Sequence, residues 1–313
     1  WFSLAVFYTY GDFVHQFVLE HRRMSWLAQY THYFNAIAMG FYAIVFCISI
    51  LSLRKGLYRY QVSQLTWTVV ILMMTVGQIK VVGHNIFSGL FWFLLPCSIV
   101  VFNDTAAYAC GKLLGRKLIK APFLRVSPNK TWEGFLGAFV CTIVFAYYWS
   151  ALLARFKFLL CEVDDLYFNP ASVHRELRNC QPDPIFQVQT LTLPEHIVEL
   201  LPIAANISWK CCPIQWHALF LGAFGSLVAP FGGFLASAIK RAYMIKDFDS
   251  LIPGHGGVMD RLDCQFIMAL FTWVYYGTFV RTSLVSVEAV LASVSLLSAE
   301  EKQQLMSELK QLL

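Results

Sequence analysis

Positions 237–263 gather four bases, four acids and three glycines into one short stretch. Lys240, Arg241, Lys246 and Arg261 suit phosphate oxygens, because charge-assisted hydrogen bonds to an oxyanion are short and strong. Asp247, Asp249, Asp260 and Asp263 are hard oxygen donors of the kind that hold Mg²⁺ through one or two carboxylates. Metal-assisted chemistry on phosphates needs both sets. Asp260 and Asp263 are three apart at the start of a predicted helix, so their carboxylates share one face. Gly254, Gly256 and Gly257 flank His255, which lets the backbone take positive φ and turn its N–H groups toward an anion at the following helix N-terminus. Pro253 helps fix that turn, and His255 suits phosphate contact better than the role of general base. A solvated loop kept basic by its side of a membrane would explain the lysines and arginines. It would not explain three glycines around one histidine followed by two acids at helical spacing.

Two upstream patches carry related chemistry. In the segment 127–134, Ser127 reads as an N-cap with Pro128 at the first helical position, which puts Lys130 and Thr131 in the first turn. The positive end of the helix dipole there suits a phosphate, although a well-capped helix entering a membrane has the same pattern. Asn103 and Asp104 end the apolar run 87–102, with Tyr108 and Lys112 following at helical spacing. A carboxylate at that depth is costly unless paired, so Asp104 is a candidate site residue, with a structural pair between Asp104 and Lys112 or another basic residue as the plain alternative.

The elements that must position these residues are membrane spans. The chain has 313 residues, 58% of them hydrophobic and only 14% charged, which separates it from ordinary soluble domains. Apolar runs of spanning length occur at 33–53, 65–82, 87–102, 135–153, 216–239 and 266–280, and 1–10 reads as the tail of a further span. Backbone groups in a bilayer must be bonded within helices or a closed barrel, and these lengths suit helices, so the expected fold is an all-α polytopic bundle over 1–283. Gly222, Gly225, Gly232 and Gly233 read as close-packing positions.

Lysine and arginine collect after the first, after the third and before the last of these runs, which places 112–130 and 240–263 on the cytoplasmic side. The segment 155–215 is richer in acids than bases and falls on the opposite, lumenal side, where a disulfide among Cys161, Cys180, Cys211 and Cys212 would persist. The tail 284–313 reads as an amphipathic helix, with Ser298 and Glu301 as a capping box.

The run 237–263 closely resembles the signature of the phosphatidate cytidylyltransferase, or CDP-diacylglycerol synthase, family of eukaryotic type. Asp249 departs from that pattern. The segment 127–134 resembles a second family motif, with Asn129 where bacterial relatives carry lysine, and the Asn103 and Asp104 patch resembles a third. The likeness implies that a phosphatidic acid oxygen attacks the α-phosphorus of CTP, giving CDP-diacylglycerol and pyrophosphate with Mg²⁺ required. It implies a catalytic set of Lys240, Arg241, Lys246, His255 and Arg261, and a binding set of Ser127, Lys130, Thr131, Gly256 and Gly257. The implied metal ligands are Asp104, Asp247, Asp260 and Asp263. The partners would be the two substrates and the bilayer, in the endoplasmic reticulum membrane, with no nucleic acid and with room for a homo-oligomer. Two alternatives stay open: a CTP-dependent kinase of a lipid alcohol, which the full signature argues against, and an ion-coupled transporter with Asp104 and Lys80 as coupling residues.

Overall fold

The computed structural model describes residues 1–11, 33–117, 130–161, 183–191, 209–250 and 256–281, with isolated positions at 119, 121, 123–124, 294, 302–303, 305–306 and 309–310. It divides into two compact units, Trp1–Thr272 and Trp273–Leu313. In the second unit, the described positions from 294 to 310 are helical. Ser298 and Glu301 lie outside the described residues.

Among the described residues, five stretches are long and apolar enough to cross a bilayer: Phe34–Leu51, Tyr58–Phe87, Phe91–Leu114, Trp132–Leu153 and Pro213–Ala242. Helix α1 (Phe2–Thr9) precedes them, and α2 (Phe34–Leu51) is the first. The second joins α3 (Tyr58–Leu72) to α4 (Gln78–Phe87) through a π-helical turn at Met73–Gly77. It outruns the expected 65–82 because the helix continues at both ends through residues too polar for a hydropathy run, such as Arg59 and Asn85. Then follow α5 (Phe91–Leu114), α6 (Trp132–Leu153) and the short α7 (Lys157–Leu160). The expected single span 216–239 is two consecutive helices, α8 (Pro213–Leu227) and α9 (Pro230–Ala242), each with proline in its first turn, where the missing N–H costs nothing.

The expected sixth span, 266–280, is helical, as the end of α10 (Met259–Tyr275) and a π-helical turn at Tyr276–Val280. It is not among the five stretches, because Thr272, Tyr275, Tyr276 and Thr278 dilute its apolar run and Asp260 and Asp263 occupy its first turns. The only described strands, β1 (Gln189–Leu191) and β2 (Trp209–Cys211), form an antiparallel pair with Thr190 opposite Lys210. The membrane body is therefore all-α.

Helices α5, α6 and α8 pack together as the core. Ala138, Thr142, Ala146 and Ser150 recur every fourth residue on α6 and are buried, which makes one narrow face that neighbouring helices can approach closely. A Cβ on Gly222 would lie 3.0 Å from the Ala146 Cβ, and one on Gly225 would lie 2.7 Å from Ile99. Both glycines thus serve the packing role expected of them. Phe224 stacks on Phe271 with centroids 3.7 Å apart, tying α8 to α10. In the apolar interior Thr142 donates to the Asn103 Oδ1 at 3.2 Å, which satisfies both polar groups.

The described part of 155–215 sits at the Phe91 end of α5, where Phe186 packs on Phe91 with ring centroids 5.0 Å apart. Lys112 lies about 30 Å away along the same helix, at 1.5 Å per residue. The described part of that segment and the Lys112 end are therefore at opposite ends of the bundle. Cys161 is disulfide-bonded, whereas Cys211 and Cys212 are free thiols. We expect single cysteines at Ser250 and Val188, in a background with its free thiols replaced by serine, to label from opposite sides of sealed microsomes. An impermeant maleimide should reach Ser250→Cys directly and Val188→Cys only after permeabilisation; the reverse order would invert the orientation.

Candidate functional site

Helix α10 begins at Met259, and its first-turn acid, Asp260, organises the loop before it. The Asp260 Oδ1 accepts from Lys240 Nζ at 2.7 Å. The Oδ2 accepts from two backbone N–H groups, Phe248 and Gly257, both at 3.0 Å. Burial alone would raise the Asp260 carboxyl, but the bonds from Lys240, Gly257 and Phe248 outweigh it and hold it below the ordinary carboxylate value. The anion that the Gly257 N–H meets is thus the helix's own carboxylate rather than a ligand. Gly256 has φ of +79°, and a Cβ there would lie 3.2 Å from the Asp260 Oδ2 and 3.3 Å from the Asp247 side chain. One on Gly257 would lie 2.9 Å from the Asp249 backbone N, so both glycines are required by close approach.

Lys240 is tied to this loop: besides its bond to Asp260, its ammonium lies 5.5 Å from the Phe248 ring centroid. Arg241, Lys246 and Asp247 are exposed around the same loop. Asp249 accepts from its neighbour Ser250 N at 2.7 Å. His255, with Pro253 and Gly254, lies outside the described residues, as do Ser127 and Pro128.

Asp263, one turn on, is half-buried, and burial holds its carboxyl above the ordinary value. It abuts α9 at Gly233, whose added Cβ would lie 3.3 Å from the Asp263 Oδ2, while one on Gly232 would lie 2.5 Å from the Asp263 carbonyl oxygen. The charged groups that act on Asp104 are Lys130, Asp263 and Arg261. Lys112 lies over the Tyr108 ring at 6.0 Å, and the basic groups that act on Asp104 are Lys130 and Arg261, from two other chain regions.

The N-terminus of α6 differs from the sequence expectation. Its N-cap is Thr131, which is extended (φ −117°, ψ 152°) and whose hydroxyl accepts from Gly134 N at 3.2 Å. Lys130 therefore precedes the helix, and its carbonyl accepts from Phe123 N at 3.4 Å. The threonine prevails because its hydroxyl satisfies a first-turn N–H that no intrahelical carbonyl reaches. Asn103, Asp104, Tyr108, Lys112, Lys130 and Thr131 line a cavity of about 360 Å³, with Phe123 and Phe234 completing its wall.

Glu133 is the functional candidate that sequence reading passed over, although it stands inside the quoted motif. Its buried carboxylate accepts from Ile119 N at 2.7 Å and Arg116 N at 3.2 Å, fixing the chain just after α5. Arg116 has φ of +60°, which a non-glycine residue holds only when its surroundings compel it. An acid in a helix's first turn, three residues after a polar run, was the available signal.

Among the described residues no group of three or more histidine, cysteine, aspartate or glutamate side chains is placed to hold a metal. Asp260 has both oxygens engaged. Of the acids, Asp104 lines the cavity, and Asp263, whose Oδ1 accepts from Cys264 N at 2.7 Å, is among the charged groups that act on it.

Apolar helices carry an acid and base cluster at one end, which defines an integral membrane protein with a polar site built where its helices begin and end. A model of the Cytidylyltransferase family matches residues 9–279, and the chain belongs to that family. It is 47% identical over 277 residues to a protein of Dictyostelium discoideum named "Probable phosphatidate cytidylyltransferase". It is 40% identical over 324 residues to phosphatidate cytidylyltransferase 1 of Arabidopsis thaliana and 40% identical over 273 residues to the human protein of that name. These alignments cover 88%, 100% and 87% of this chain, but 57%, 72% and 56% of the relatives' own lengths.

Two substitutions separate organising acids from the rest. Asp260→Asn should loosen the 244–258 loop, so that trypsin cleaves after Lys246 faster than in the parent, whereas Asp247→Asn should leave that rate unchanged. Glu133→Ala leaves two N–H groups without their acceptor and should cost about 1–3 kcal/mol in detergent thermal unfolding. Glu133→Gln, which retains one carbonyl acceptor, should recover part of the loss.

Proposed function

We propose that this chain transfers the cytidylyl group of CTP to phosphatidic acid, forming CDP-diacylglycerol and pyrophosphate. The observation that carries the reading is the convergence of three chain regions, through Asp104, Lys130, Asp263 and Arg261, on one end of the bundle. The relatives' names support the substrate pair. A phosphatidate oxygen attacks the α-phosphorus of CTP, a new P–O bond forms, and the bond to the β-phosphate breaks as pyrophosphate leaves. No strong general base is required, since a phosphomonoester is mostly ionised near neutral pH.

Lys130 and Arg261 are the cations placed to hold phosphate oxygens, with Arg241 and Lys246 at the exposed rim. Lys240 acts through Asp260, by holding the loop. The donor set fits Mg²⁺ as an ion shared with substrate, because Mg²⁺ binds through one or two carboxylates plus phosphate oxygens. Asp104 and Asp263 would hold it, with Asp247 beside the loop, and when bound it neutralises charge on the departing pyrophosphate. The basic loops would face the cytoplasm, where CTP is, and the Cys161 disulfide favours an oxidising compartment on the other side, as in the endoplasmic reticulum.

Labelled CTP tests the reaction class. With phosphatidate present, label at the α-phosphorus should appear in lipid and label at the γ-phosphorus in pyrophosphate. Lipid labelled from the γ-position would mean a kinase, and no labelled lipid from either would leave transport. Asp263→Asn and Asp104→Asn should each lower turnover at least about a hundredfold without loss of folded protein, the scale expected when a charge acting at the reacting phosphates is removed. Lys130→Ala should raise the KM for an anionic substrate more than it lowers protein yield.

A further inference from the structure

A second cavity, of about 410 Å³, opens between α4, α5 and α10, on the side of α10 that carries Arg261. Arg261 lines its upper end and also acts on Asp104, so this cavity begins where the polar site ends. Its α10 wall descends through Gln265 and Phe266 to Ala269, about 12 Å along the axis for eight residues at 1.5 Å each. The opposing wall is Gln78, Val82 and Asn85 on α4, with Phe93 and Pro96 on α5.

Polarity along the cavity is graded. At the deep end, Asn85 donates to the Ala269 carbonyl oxygen at 2.9 Å, which closes off both polar groups. Seven residues earlier on each helix, Gln78 and Leu262 line the same cavity beside Arg261. The Gln78 side-chain oxygen is buried and has no hydrogen-bond partner among the described residues. Such a group calls for a ligand, because a buried polar atom left unpaired costs free energy. The amide also supplies an N–H donor for an ester carbonyl when turned over. Between the two ends the wall is apolar at Val82, Phe93, Pro96 and Phe266, and the one amide there, Gln265, donates to the Cys97 carbonyl oxygen at 3.2 Å.

We propose that this cavity takes one acyl chain of the phosphatidate substrate, with the phosphate at Arg261, the ester beside Gln78 and the chain running toward Ala269. The assignment rests on the function proposed above. A chain gains little free energy in moving from lipid into an equally apolar slot. The cavity therefore serves position more than affinity: it holds the lipid phosphate next to Asp104 and keeps its attacking oxygen in reach.

Ala269→Phe and Val82→Phe each fill the slot without touching the polar site. Either should lower kcat/KM for dioleoyl phosphatidate about tenfold relative to dioctanoyl phosphatidate, the scale of a few methylenes refused by an apolar pocket, with the KM for CTP unchanged. Equal losses for both chain lengths, or a shift in the KM for CTP alone, would overturn the assignment. If the unsubstituted protein converts no phosphatidate with CTP, the proposed reaction fails, and photolabelling then judges the cavity by itself. Phosphatidate carrying a diazirine near its chain end should label peptides within 78–97 or 261–269 of the intact protein. Competition should come from unlabelled phosphatidate and not from phosphatidylcholine of the same chains. Labelling elsewhere, or equal competition by phosphatidylcholine, would rule the slot out.

Discussion

Asp260 is the point on which the site's geometry depends. One carboxylate at a helix start receives an ammonium from α9 and two backbone N–H groups from the loop between α9 and α10. Each bond alone is worth about 1.5–3 kcal/mol, as for hydrogen bonds to a charged group, and less where water screens it. Their value here is geometric. They fasten a loop rich in glycine and charge, whose Tyr243, Met244, Ile245 and Val258 side chains stay exposed instead of packing into a core, to two helices that are already held by packing. Gly256 and Gly257 are the necessary counterpart, because any Cβ at either position would press on Asp260, Asp247 or Asp249.

The convergence of distant chain regions follows from small residues at helix crossings. A Cβ on Gly134 would lie 3.0 Å from the Ala107 carbonyl oxygen and 3.2 Å from the Gly111 Cα, so α5 and α6 meet backbone to backbone beside Lys130. The same closeness recurs where Gly232 lies against Asp263 on α10. In a bilayer, where burial of apolar surface gives helices little reason to associate, close van der Waals contact at small residues supplies it. Asp104 and Asp263 reach a common region because the helices that carry them can approach this near.

Much of this was legible in the sequence, and the exceptions have physical causes. Apolar runs located the five spans because hydropathy and length determine what can cross a bilayer. They misjudged the ends of α3 and α4, since a helix extends into polar residues once its hydrogen bonds are running, and they missed the break before Pro230. The glycines and acids of 237–263 were legible as a site. Which acid would organise and which would face the ligand region was not, because Asp260 and Asp263 have the same type and differ only in what α9 brings near them. The N-cap was misplaced at Ser127 since serine followed by proline is a good local signal; Thr131 caps the helix by accepting from Gly134 N, while the Lys130 carbonyl just before it accepts from Phe123 N, a contact that no local pattern encodes. Glu133 escaped notice for the same reason: its partners, Arg116 and Ile119, are brought to it by the turn after α5.

The charge pattern around Asp104 carries a consequence for binding. Lys130 and Arg261 attract phosphate, while Asp104 and Asp263 repel it, so a polyanion entering alone meets a nearly balanced field. A divalent cation entering alone meets the same balance with the signs exchanged. Each removes the repulsion that the other faces, and by linkage the help is reciprocal. The raised carboxyl of Asp263 points the same way, since burial disfavours its charge and a bound cation would restore it. If the site takes the proposed substrates, it would be loaded most readily by a nucleotide that arrives with its metal, and would hold weakly a nucleotide or a metal that arrives by itself. For the proposed reaction, that bias would keep a lipid phosphate at Arg261 from facing an unscreened triphosphate, since two polyanions at bonding distance repel strongly.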